Sequence, residues 1–234
     1  MSQDFDRYRA TYRQDVDRSV RFSGQDSDFF TDVKARLLLD ATARHLGPTE
    51  RLDVLDVGCG VGVTDSFLEG RFGSLLGIDV SEGVVQEAAA TNPWARYQSY
   101  DGGRIPLKDG EVDVAFAICV VHHVEPPDRV GFLRDVARVV TPGGLVAIFE
   151  HNPFNPLTRV AVNRCDFDEG VVLARRGSTI SMLRSAGLEV VEDPYILFFP
   201  FHARVFRRVE RLLGWLPLGA QYMVVGRKPP RGDH

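Results

Sequence analysis

Short apolar runs alternate with amphipathic stretches from residue 52 to about residue 190. Val54 to Asp56, Leu75 to Asp79, Trp94 to Tyr100, Val112 to Cys119 and Leu145 to Glu150 read as five strands, apolar enough to be covered on both faces. Helical spacing fills the gaps. Ser81 caps a predicted helix to Ala90, and Phe132, Leu133, Val136, Val139 and Val140 mark another from about Pro127, stopped by Pro142-Gly143-Gly144. Upstream, Asp28 is the expected cap of a helix to about His45, with Val33, Leu37, Leu38 and Ala41 on one face and Gly47-Pro48 as terminator. A helix from near Ser178 and a last strand, Gln221 to Val225, complete the pattern. This alternation predicts one α/β domain built on a doubly wound, mostly parallel sheet, with ligands outside the carboxyl ends of the strands.

The chain has 234 residues, 44% of them hydrophobic, which suits a single domain spanning 1–234 with a full core. A net charge of -4 gives no reason to expect nucleic acid as a partner. Charge is uneven, however: within 201–231 the basic residues Arg204, Arg207, Arg208, Arg211, Arg227, Lys228 and Arg231 face one acid, Glu210. The three cysteines, Cys59, Cys119 and Cys165, have neither disulfide nor metal spacing, and the amino terminus lacks the apolar core of a signal peptide, so a cytoplasmic location is expected. Cys165 is expected to act as a small apolar residue.

The strongest chemical signal is Val57-Gly58-Cys59-Gly60-Val61-Gly62, a strand ending in a glycine turn that is expected to open a helix. Glycine lets the backbone approach a ligand where a Cβ would clash. The spacing is G-x-G-x-G; a dinucleotide fingerprint needs its third glycine one position later, where Val63 stands. Asp79, about 20 residues past the turn at the end of the next strand, suits two ribose hydroxyls; its other reading is a helix cap, but Ser81 caps better and leaves Asp79 for a ligand.

With Asp56 two positions before the first glycine, this string resembles motif I of the class I S-adenosylmethionine (SAM)-dependent methyltransferases of the small-molecule type. The resemblance implies a Rossmann-like fold with SAM as cofactor and no metal. It places Asp56, Gly58, Cys59, Gly60 and Gly62 around the donor, Asp79 and Val80 at its ribose, and Asp101 with Gly102 at its adenine, although an ordinary Asp-Gly turn is the alternative there. Ile118 and Cys119 would line its methionine end. The order divides the chain into an N-terminal helical lid candidate (1–27), a SAM-binding core (28–150), an insertion after the fifth strand that covers the acceptor (151–177), C-terminal helices and strands (178–228) and a tail (229–234). Residues 1–27 equally suit a frayed terminus.

Three residues are candidates for proton transfer: His123, in the pair His122-His123 after the fourth strand, and Glu150 with His151 after the fifth. Each has a structural alternative: the histidines pack or hydrogen-bond near the cofactor, and Glu150 pairs with an arginine while Asn152 and Asn155 cap backbone groups. Metal binding by the histidine pair is not expected, because neighbours on an extended strand point to opposite faces. A small-molecule or lipid-linked acceptor is expected, with a sugar, glycolipid or natural-product hydroxyl or amine favoured by the likeness of 150–159 and 216–222 to a subgroup associated with bacterial polysaccharide and natural-product loci. Phe201–Trp215 reads as a basic amphipathic helix that either packs on the sheet or makes peripheral membrane contact. A NAD-dependent oxidoreductase and a catalytically silent SAM-binding module are the competing readings.

Overall fold

The computed structural model describes residues 18, 24–165, 168, 170–199, 209–210 and 212–230. The lid candidate 1–27 and the amphipathic segment 201–215 fall largely outside the described residues. Its strands are β1 (Asp53–Val57), β2 (Ser74–Asp79), β3 (Arg96–Ser99), β4 (Val112–Ile118), β5 (Val140–His151), β6 (Glu189–Glu192), β7 (Tyr195–Ile196) and β8 (Gln221–Arg227). Its helices are α1 (Ser27–Leu46), α2 (Glu82–Thr91), α3 (Arg129–Val139), α4 (Pro156–Val162) and α5 (Arg176–Ser185). The sheet runs β3-β2-β1-β4-β5-β8-β6, parallel from β3 to β5 and antiparallel where β8 joins, with the two-residue β7 added beside β8. The expected seven-stranded plan thus holds, with β7 as an extra bridge.

Alternation along the central strands builds a core on each face. Val114 and Phe116 of β4 pack with Leu145, Ala147 and Phe149 of β5 on the α1 side; Ala115 and Ala117 pack with Val146 and Ile148 under α3 and α5. All nine are essentially inaccessible to water, which is why these strands read as continuous apolar runs.

Four expectations are corrected in detail. The cap of α1 is Asp26, whose carboxylate accepts from the Phe29 amide, rather than Asp28, which lies in the first turn. Pro142-Gly143-Gly144 lies inside β5: α3 ends at Val139, and Val140 already pairs with Val112 across an irregular register. The glycine turn opens no α-helix; between β1 and β2 the regular element is a 3₁₀ turn, Asp65–Phe67. Gly62, Gly70 and Gly73 interrupt that short crossover, and glycine lowers helix stability by about 1 kcal/mol per residue. The fourth correction, at the histidine pair, belongs to the site. No helix of the described residues is long and apolar enough to cross a membrane.

Candidate functional site

A cavity of about 1560 Å³ opens over the carboxyl ends of β1, β2, β4 and β5 and the amino end of the antiparallel β8. Ligand pockets commonly measure about 300–1,000 Å³, so this one has room for two ligands side by side.

The glycine turn forms one end. Gly58, Gly60 and Gly62 have φ of 78°, 52° and 72°, and a Cβ on Gly58 would lie 2.5 Å from Val120 Cγ2. The amides of Gly58 and Cys59 donate to Ile78 O at 2.7 and 3.0 Å, tying the turn to β2. Asp79 is less free than expected: its Oδ2 accepts from Gly60 N and its Oδ1 from Ser81 N, both at 3.0 Å, while the residue still lines the cavity. Ser81 caps α2, as expected. Asp56 is buried beneath the turn beside Asp65, a residue the sequence reading did not single out. Burial, then the Asp65 charge, pushes the Asp56 carboxyl well above its usual range; burial pushes Asp65 up to about 6. Tyr97 donates to Asp65 Oδ2 at 2.7 Å, and the side-chain hydrogen bond between the two acids favours a proton kept on Asp56. Asp101, Gly102, Val80, Ile118 and Cys119 line the same end; Asp101 Oδ1 also accepts from Gly103 N, so the Asp-Gly turn is present as well. Cys119 adopts φ of 58°, and burial raises its thiol to about 11.

At the other end the fold assembles a polar cluster from distant segments. Residues 121–123 form a 3₁₀ turn instead of continuing β4, so the two imidazoles lie on one side, ring centroids 4.2 Å apart. His122 Nδ1 is 2.6 Å from Glu150 Oε2, and its Nε2 is 3.3 Å from Asp168 Oδ1. His123 Nε2 is 3.4 Å from the same oxygen. Burial opposes charge on His122, yet Glu150, with the bonds from both carboxylates, raises its pKa well above the usual value: it is a fixed imidazolium. That cation in turn overcomes the burial of Glu150 and Asp168 and keeps both ionised. Burial, then the His122 charge, pushes His123 and His151 down to about 4, so both are neutral at neutral pH.

The three proton-transfer candidates therefore separate. His123 and His151 line the cavity; Glu150 does not, being fully buried with its two oxygens on His122. Glu150 is corrected from acceptor-side base to partner of His122, and the partner is a histidine where an arginine was expected. The argument against a metal also loses its premise: His122, His123 and Asp168 each place a ligand atom within 4.8 Å of the others, a set that sequence spacing hid.

Three further cavity residues escaped the sequence reading. Asp168 lies in the insertion; Lys34, a buried lysine of α1, sets its charge against Cys119 and His151. Gln221 is buried at the start of β8, with Nε2 3.3 Å from His151 Nδ1 and Oε1 unpartnered. A lysine and a glutamine on otherwise apolar faces were the available signals.

Residues of the segment after β5, among them Asn155, Leu157 and Thr158, line this end. Asn155 caps α4 by accepting from Leu157 N and Thr158 N. Asn152 Nδ2 donates to Pro217 O and Gly219 O, Asn155 Nδ2 to Leu218 O, and Thr158 Oγ1 to Ala220 O. Both asparagines thus cap backbone groups. Arg129 binds the histidine turn to the insertion, donating to His122 O and to Val172 O. Leu157, Ala161, Val162, Cys165, Leu197 and Phe198 give this half apolar walls. Cys165 is buried there as a small apolar residue.

Residues 55–148 match the family model described as "Methyltransferase domain". Over 103 residues the chain is 32% identical to 2-methyl-6-phytyl-1,4-hydroquinone methyltransferase of Synechocystis, covering 42% of this chain and 32% of that protein. It is 32% identical over 114 residues to demethylmenaquinone methyltransferase of Tropheryma whipplei, covering 47% and 46%. The chain thus spans less than half the length of these relatives. In fold it is similar to a Thermotoga maritima structure described as a SAM-dependent methyltransferase and possible histamine N-methyltransferase, with TM-score 0.67 and 19% identity over 97% of this chain and 100% of that one.

Proposed function

The chain carries a class I SAM-dependent methyltransferase domain, and from that premise we propose that it methylates a small apolar molecule through an acidic hydroxyl, phenolic or enolic, of the hydroquinone kind. The observation that carries the reading is the two-ended cavity, with a glycine turn and acids at one end and neutral histidines within apolar walls at the other. When bound, SAM supplies an activated methyl group on a sulfonium, so the protein's contribution is alignment and exclusion of water.

The donor end fits that cofactor. Asp79 would hold the ribose hydroxyls, Asp101 the adenine amine, the amides of the glycine turn the backbone of the donor, and Ile118 with Cys119 its methionine end. A dinucleotide fits poorly: its pyrophosphate needs a helix N-terminus after the turn, and here a 3₁₀ segment follows.

At the acceptor end, His122, Glu150 and Asp168 together carry one net negative charge, so the cluster can take up one proton. His123 is the receiving group, being neutral, on the cavity wall and backed by Asp168. His151, paired with Gln221, would orient the hydroxyl. The apolar walls favour a ring or aliphatic body over the sugar-like acceptor expected from sequence.

Calorimetry with S-adenosylhomocysteine tests the donor reading: micromolar binding is expected, and Asp79→Ala should weaken it at least tenfold. Well-folded protein that binds none would overturn it. His123→Ala should lower turnover of a hydroquinone by about 10²–10⁴-fold with product affinity unchanged; undiminished turnover would remove His123 as the proton acceptor.

A further inference from the structure

Every exposed large hydrophobic residue among the described ones falls in two segments, 154–172 and 209–218. Phe154 and Leu157 are 58% exposed, Leu218 65% and Trp215 71%. The two segments are neighbours in space, since the side chains of Asn152 and Asn155 bind carbonyls of 217–219. The exposed Phe154, Leu157 and Leu218 are thus gathered on adjoining segments at this seam, and apolar surface gathered in that way marks an interaction site. Its position matters as much as its polarity: Leu157 belongs to this surface and also lines the cavity.

Charge narrows the choice of partner. Residues 154–176 carry Arg159, Arg164, Arg175 and Arg176 against Asp166, Asp168 and Glu169, and Asp168 is buried in its pair with His122. The Arg175 guanidinium stacks over Phe154, 5.5 Å from the ring centroid, so cation and aromatic ring share one rim. A surface combining apolar and aromatic side chains with cations suits the headgroup layer of an anionic bilayer, where rings and leucines enter the interface and arginines meet lipid phosphates.

We propose that this face, formed by the start of the insertion and the segment before β8, docks the protein on anionic lipid and brings the cavity mouth to the membrane, so that a lipid-soluble acceptor enters without crossing water. Only the delivery of acceptor rests on the methyltransferase reading; the docking stands apart from it.

The test is flotation of the full chain with phosphatidylcholine vesicles and with vesicles that also contain phosphatidylglycerol, at low and raised salt. Neither donor nor acceptor is added, so a failure of docking and a failure of the cofactor reading are separate results. Binding to the anionic vesicles, weakened by salt and by omission of phosphatidylglycerol, is expected. Trp215→Ser/Leu218→Ser and Arg159→Glu/Arg175→Glu should each weaken it on the order of tenfold, with thermal unfolding unchanged as the control for folding. Absence of binding by folded wild-type chain, binding by both double variants as strong as that of wild type, or a dimer in sedimentation velocity that Trp215→Ser/Leu218→Ser abolishes would each overturn the proposal.

Discussion

Glu150→Gln tests the site most directly, because it removes one charge and almost no volume. In the wild type, His122 is an imidazolium whose Nδ1–H points to Glu150 at 2.6 Å in a wholly buried place. Glutamine can still accept that bond through its amide oxygen, but the main cause of the raised His122 pKa is gone. Removing one partner of a buried ion pair costs about 3–5 kcal/mol, and the retained hydrogen bond and Asp168 place this case near about 3 kcal/mol. For a chain of this size that is a fall in Tm of roughly 6–12 °C. The pH dependence fixes the sign. Glu150 is depressed in the folded state, so its contribution is present above its unfolded value of 4.5 and is lost as the pH falls through the folded one. His122 is raised, so its contribution is complete below its unfolded value of 6.5 and is lost as the pH climbs through the folded one. The difference between wild type and variant should therefore be widest between about pH 5 and 7 and narrow on either side. Urea denaturation across pH 4–9 measures it. A difference below about 1 kcal/mol, or one flat with pH, would refute the buried ion pair.

Two other predictions concern the same cavity. Asp56→Asn removes a buried acid whose raised pKa destabilises the folded state progressively as the pH climbs above its unfolded value of 3.8, so the variant's gain in Tm over wild type should grow from about pH 4 toward pH 8, by calorimetry. Because the His122 cation already stands between Glu150 and Asp168 and bonds both, prolonged dialysis against a chelator should leave turnover unchanged; a loss restored by one divalent ion would assign His122, His123 and Asp168 to a metal instead.

Features set by neighbours in sequence were legible in it. Two-faced strands show as unbroken apolar runs, and the donor end is built where such runs stop: the glycines after Val57, Asp79 after Ile78, and Cys119 after Ile118. The acceptor end is not of that kind. Its central contacts join His122 to residues 28 and 46 positions away, and Lys34 and Gln221 enter from elements near opposite ends of the described chain. A carboxylate closing an apolar strand must find a partner, so Glu150 announced that something would face it, though not what. The histidine pair misled because it was read as extended backbone; one tight turn after β4 put both rings on the same side.

The bonds that seat the insertion end on main-chain carbonyls at 217–220, and no outward-facing side chain takes part in those four contacts. Asn152, Asn155 and Thr158 hold the loop in place, while the side chains of Leu157 and Ala161, which line the cavity, take no part in those bonds. On the proposed reading, a descendant of this chain could change its choice of acceptor by substitutions at Leu157 or Ala161, with the scaffold and the glycine-turn end left as they are.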